Sequence, residues 1–150
     1  MITSRLNRAT TGGLLASCVV TGVALAGCTN TVSLPPGPRG TSSYCTGIES
    51  SAPVSVANQL IRETSPQDSG VLAWGDPVIT LTCGVTRPNS LEATSQLVSV
   101  NGVDWYPEKL TRGQRFTSVN TPEFVQVDIP EIYESASGVL VDLTTALLTN

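Results

Sequence analysis

The sequence predicts an α+β fold: a mainly antiparallel sheet of about five strands, with an N-terminal and a C-terminal helix packed on one face. Three observations predict it. Val98 to Val103 holds a two-residue turn signal between alternating strands, Val125, Val127 and Ile129 repeat with a period of two, and Ala136 to Leu147 repeats with a helical period. Hairpin connections favour antiparallel pairing, and helices gathered on one face leave the other to water.

Ser51 to Thr64 reads as the first helix. Val54, Ala57, Leu60 and Ile61 fall on one helical face, Ser51 can cap, Pro53 is tolerated in a first turn, and Ser65-Pro66 ends the run. Pro77 to Cys83 reads as a strand, with Ile79, Leu81 and Cys83 on one side and Val78, Thr80 and Thr82 on the other.

Asn101-Gly102 supplies the positive φ angles of a type I′ hairpin. That turn sets the register: Val100 opposite Val103 and Val98 opposite Trp105, with these four side chains on one face and Ser99 and Asp104 on the other. Gln114 to Val119 and Glu123 to Ile129 form a second strand pair around Asn120-Thr121-Pro122, stopped by Pro130. The steps between Ala136, Val139, Leu140, Leu143, Ala146 and Leu147 mark an amphipathic C-terminal helix, with Gly138 in its first turn.

Ahead of this domain lies an export signal. Arg5 and Arg8 form a basic start, and an uncharged stretch from Ala9 to Ala26 follows, its apolar part too short for the roughly 20 residues of a spanning helix. It closes on Leu25-Ala26-Gly27-Cys28, which resembles the bacterial lipobox, in which the cysteine thiol is acylated and the chain is cut before it. Residues 1–27 are thus expected as a lipoprotein signal peptide and Cys28 as the lipidated first residue of the mature chain. Residues 28–43, rich in Pro, Gly, Ser and Thr, read as a tether of about 45 Å if extended, and 44–150 as one globular domain. The expected location is the extracytoplasmic face of the cell membrane, held by two or more acyl chains.

Cleavage would leave six basic residues against twelve acidic ones, a net charge of −6. Such a chain has no basic patch for nucleic acid and no electrostatic attraction to anionic lipid, so the acyl group is the expected membrane contact. Cys18 would leave with the signal and Cys28 would carry lipid, so Cys45 and Cys83 remain as one pair. In an oxidising compartment they read as a structural disulfide closing about 39 residues, worth roughly 4 kcal/mol in the chain-entropy account. The alternatives are a metal pair or two free thiols, but a chain with no histidine is short of ligands for zinc.

Trp74-Gly75-Asp76-Pro77, then Cys83-Gly84-Val85 with Pro88, then Val100-Asn101-Gly102-Val103-Asp104-Trp105 resemble the signature of the actinobacterial Domain of Unknown Function 3515 family. The resemblance runs over most of Tyr44 to Leu148. It implies a small exported or membrane-anchored actinobacterial protein and brings no catalytic or ligand residue with it.

The signature residues Trp74, Asp76, Asn101, Asp104 and Trp105 are the candidate ligand-binding positions. Asp76 and Asp104, each near a tryptophan, could form a carboxylate pair of the kind used on glycans. The plainer reading makes both tryptophans core anchors and both aspartates turn or hairpin hydrogen-bonders. Other chemistries lack parts. A Ser or Cys nucleophile has no histidine base, Lys109 has no Ser-x-x-Lys spacing, and neither a phosphate loop nor a calcium loop appears. Glu108, Arg112 and Arg115 read as a solvated charged turn. The expectation is a non-enzymatic envelope lipoprotein without cofactor that binds an envelope protein or glycan or assists an assembly. A carboxylate-pair enzyme is the alternative.

Overall fold

A computed structural model describes residues 31–149. The expected signal peptide and Cys28 lie outside the described residues. The fold is α+β: an antiparallel sheet with an N-terminal and a C-terminal helix packed against it.

In chain order the elements are β1 (Val32–Ser33), α1 (Ser43–Ser50), β2 (Ser55–Val56), β3 (Gln59–Arg62), β4 (Thr64–Ser65), β5 (Val71–Trp74), β6 (Ile79–Val85), β7 (Val98–Val100), β8 (Val103–Leu110), β9 (Gly113–Ser118), β10 (Phe124–Pro130) and α2 (Ala136–Leu148). The main sheet has eight strands in the order β2-β3-β5-β6-β10-β9-β8-β7, and β1 pairs with β4 in a separate parallel pair. Two meanders therefore meet in the middle, where β6 and β10 run antiparallel with Val127 opposite Leu81 and Val125 opposite Cys83. The link between them, residues 86–97, carries the chain to the far edge. It rests on the face away from the helices, where Tyr106 Oη donates to Ser90 O and Ser90 Oγ donates to Glu108 Oε1.

Alternation builds the helix-covered face. Ile79, Leu81 and Cys83 of β6, Val125, Val127 and Ile129 of β10, and Val103 and Trp105 of β8 are buried, while Thr80, Thr82, Gln126 and Asp128 between them are partly open. Ile48 and Cys45 of α1 and Val139, Leu140, Leu143 and Leu147 of α2 close the same core. The expected hairpin register holds throughout, with Val100 opposite Val103, Ser99 opposite Asp104 and Val98 opposite Trp105.

The first helix is elsewhere than the periodicity indicates. Ser51 to Thr64 forms the hairpin β2–β3, because Ala57 (φ 48°) and Asn58 (φ 61°) make a tight two-residue turn incompatible with a helix. The apparent helical stripe is not a core face: Val54 and Leu60 are about 70% exposed and Val56 is buried instead. The true helix, α1, starts at Ser42, whose Oγ accepts from Cys45 N, and it buries Tyr44, Cys45 and Ile48.

The expected strand from Pro77 instead begins at Ile79, after a turn containing the cis Asp76-Pro77 bond, and continues to Val85. Three further strands of the main sheet lack a period-two signal. β5, Val71 to Trp74, is buried at all four residues and therefore reads as a plain apolar run, while β2 and β3 are very short. Residues 31–42, expected within the tether, lie against the domain: Val32 N donates to Glu63 O, Leu34 N to Ser65 O and Arg39 N to Gly84 O.

Cys45 and Cys83 are disulfide-bonded with Cα atoms 5.5 Å apart, and both are fully buried. The bond fastens α1 to the central strand β6.

Candidate functional site

The first signature turn is a scaffold. Trp74 is fully buried, and its Nε1 donates to Pro53 O at 2.8 Å. Gly75 has φ +71°, and a Cβ there would lie 2.7 Å from Tyr133 Oη and 2.8 Å from Gln59 Cγ, so a side chain would be strained and would displace both neighbours. Its N–H donates to Leu60 O and its carbonyl accepts from Arg62 Nη1 at 3.1 Å. Tyr133 Oη donates to Pro77 O at 2.6 Å, which ties the turn to the start of α2. Burial, followed by the nearby Asp76 charge, raises the Tyr133 pKa above its usual 10.0. Asp76 itself is exposed.

The second signature hairpin is held by a residue outside the signature. Asn101 (φ 48°) and Gly102 (φ 89°) form the exposed turn, and Asn120 grips it from the neighbouring loop. Asn120 Oδ1 accepts from Asp104 N at 2.9 Å, and Asn120 Nδ2 donates to Gly102 O at 3.0 Å. Sequence reading placed Asn120 in a turn without this role, and the only available signal was an amide side chain next to a hairpin partner. Trp105 is fully buried beneath this turn.

Asp76 and Asp104 are not brought together. From β6 to β8 there are three interstrand steps, about 14 Å at the usual spacing. Trp105 pairs with Ser118 and Val125 with Cys83, so Asp104 lies level with the far end of β6, while Asp76 precedes its start. The offset along the strands is at least five residues, roughly 17 Å. Glycosidase carboxyls lie within about 10 Å of each other, so this pair does not form such a site.

An open cleft of about 640 Å³ sits at the end of the sheet where Asp76 lies, between the β8–β9 turn and the β10–α2 connection. Its lining includes Leu110 and Ile129, and its charged side chains are Lys109, Glu131 and Glu134, since the Glu108 carboxylate turns to the other face of the sheet with Ser90. Two carboxylates against one ammonium leave it negative, which suits a cationic group. Glu131 N donates to Arg112 O and Tyr133 N to Pro130 O, so backbone bonds hold the rim. Sequence reading placed Glu108 in a solvated turn and Lys109 only in a rejected catalytic pattern. Nothing in their spacing indicates that the connection before α2 folds beside them.

On the sheet face opposite the helices, Arg115 makes a bidentate pair with Asp128, Nε to Oδ1 at 2.7 Å and Nη2 to Oδ2 at 2.8 Å. These bonds raise the guanidinium pKa above its ordinary value, against the opposing effect of burial. Glu108 stands opposite Arg115 in the sheet, so the cation has a carboxylate on each side.

Among the described residues no group of three or more His, Cys, Asp or Glu side chains is placed to hold a metal ion. Both cysteine sulfurs of the domain are in the disulfide. No helix among the described residues is long and apolar enough to cross a membrane. The arrangement offers a negative cleft and a polar sheet face.

Neither the curated proteins nor the solved structures contain a match to this chain. A family model does match, over residues 12–150, and its description is protein of unknown function (DUF3515). The scaffold turns around Gly75 and Asn101-Gly102, with the disulfide between them in the sheet, are thus the framework of a chain that belongs to the DUF3515 family.

Proposed function

We propose that this protein is a cell-envelope lipoprotein, anchored through acylated Cys28 on the extracytoplasmic face of the membrane, whose domain binds another envelope component without catalysing a reaction. The buried Cys45–Cys83 bond carries the reading. Structural disulfides persist in oxidising compartments, so the bond supports export independently of the Leu25-Ala26-Gly27-Cys28 motif.

The cleft beside Lys109 is the binding surface in this reading, and Glu131 and Glu134 favour a partner that presents a basic group. Photo-crosslinking in cells from position 111, an exposed residue of the cleft lining, followed by identification of the adduct, tests this. A specific envelope protein captured there, and lost when Glu131 and Glu134 are replaced by Gln, is expected. Adducts that match those from a probe at exposed Ser99 would overturn it.

A further inference from the structure

The segment before α1 is shaped to lie on the domain, backbone against backbone. Gly37 and Gly40 approach so closely that a Cβ on either would run into the carbonyl oxygens of Cys83 and Ser69. From the sheet side, Gly84 (φ +74°) leaves room for the Arg39 carbonyl group, and Gly70 does the same for Gly40. Three backbone bonds, from Val32, Leu34 and Arg39, and an ion pair between Arg39 Nη2 and Glu123 Oε2 fix the segment along its length. A flexible linker needs no such fit, and this one crosses the end of the sheet where β5 begins and β6 finishes.

Covalent geometry then sets a short reach. Only Thr29, Asn30 and Thr31 separate Cys28 from Val32, and four residues span at most about 14 Å. Free residues from 29 to 43 would instead reach roughly 45 Å. We propose that residues 32–42 form a docked strap that holds the domain directly above the lipid headgroups, with the β5–β6 end toward the bilayer and the acidic cleft at the remote end. This rests on the reading of Cys28 as the anchored residue. The acidic domain is held near the membrane by a short leash and needs no attraction to lipid.

Neutron reflectometry on a supported bilayer tests the strap. The mature chain, from Cys28 onward, is coupled through its one thiol outside the disulfide to a maleimide lipid. A gap between headgroups and protein of about 14 Å or less is expected, and a larger gap overturns the proposal. A twelve-residue Gly/Ser insertion after Asn30 leaves the strap untouched. It should raise the root-mean-square linker span about twofold, from about 11 to about 22 Å, whereas a free tether would lengthen by less than 1.5-fold. Intact mass of the protein extracted from bacterial membranes reports acylation separately. An unmodified Cys28 would remove the anchoring reading and leave the strap measurement standing.

Discussion

Tyr44, near the start of α1, donates its hydroxyl to the Leu147 carbonyl in the last turn of α2, at 3.0 Å and across 103 residues. The bond satisfies one of the carbonyls a helix end leaves unpaired, and it locks the two helices over the sheet. Tyr44→Phe should lower stability by about 1 kcal/mol, read as a shift in urea midpoint at constant slope.

The same residue predicts a pH dependence. Burial raises the Tyr44 pKa above 10.0, outweighing the lowering by a hydrogen bond with Thr121. The folded state therefore holds the phenol proton more tightly than the unfolded chain. Its contribution is complete below about pH 10, the unfolded value, and is lost as pH rises through the higher folded value. Denaturation profiles from pH 8 to 11 should show this loss, and Tyr44→Phe should flatten it. Identical alkaline slopes in the two proteins would contradict the assignment.

Reduction of the Cys45–Cys83 bond should destabilise the domain by roughly 4 kcal/mol, since it ties residues 38 apart and both sulfurs are in the core. Chemical denaturation with and without reductant measures this. Superimposable curves would mean that the bond adds nothing.

Gly84→Ala places a Cβ into the Arg39 backbone at a position with φ +74°. The left-handed backbone costs a side chain about 1 kcal/mol, and the steric conflict should lift the strap. Trypsin should then cut after Arg39 at least tenfold faster than in the parent chain, with the disulfide-bonded remainder intact by mass. Unchanged cleavage would show that the strap does not depend on this approach.

Asp76→Asn and Asp104→Asn should be additive in stability to within about 0.5 kcal/mol, because the two sites are far apart and share no partner. A double-mutant cycle by thermal denaturation checks this. A larger coupling would bring back the carboxylate pair that the sheet register separates.

Local chemistry made much of this fold legible. Asn101-Gly102 dictates its own turn and therefore the register of β7 and β8, and the alternation in Val125, Val127 and Ile129 marks a half-buried strand. The helical stripe in α2 is long enough to outweigh Gly138. The misread segment is where tertiary structure outweighs periodicity. Val54, Ala57 and Leu60 are spaced like a helix, yet Asp142 of α2 accepts a hydrogen bond from Ala57 N at the tip of a hairpin. The strap was equally hidden, because its glycines suit either a linker or close backbone packing and only the surface beneath them decides. The cleft arises from two turns far apart in sequence, so no local pattern announces it.

The seam between β6 and β10 joins two meanders, each held by neighbouring hairpins, and the core belongs to neither alone. Leu81 has Leu72 beside it from the first meander, but its other neighbour, Val127, arrives only after the chain has travelled to the far edge and back. The contacts that join the two meanders are thus distant in sequence, and closing that loop must precede their reward. The central seam makes the two halves interdependent: cutting or loosening the 86–97 link would weaken both meanders together, so the whole sheet behaves as one cooperative unit.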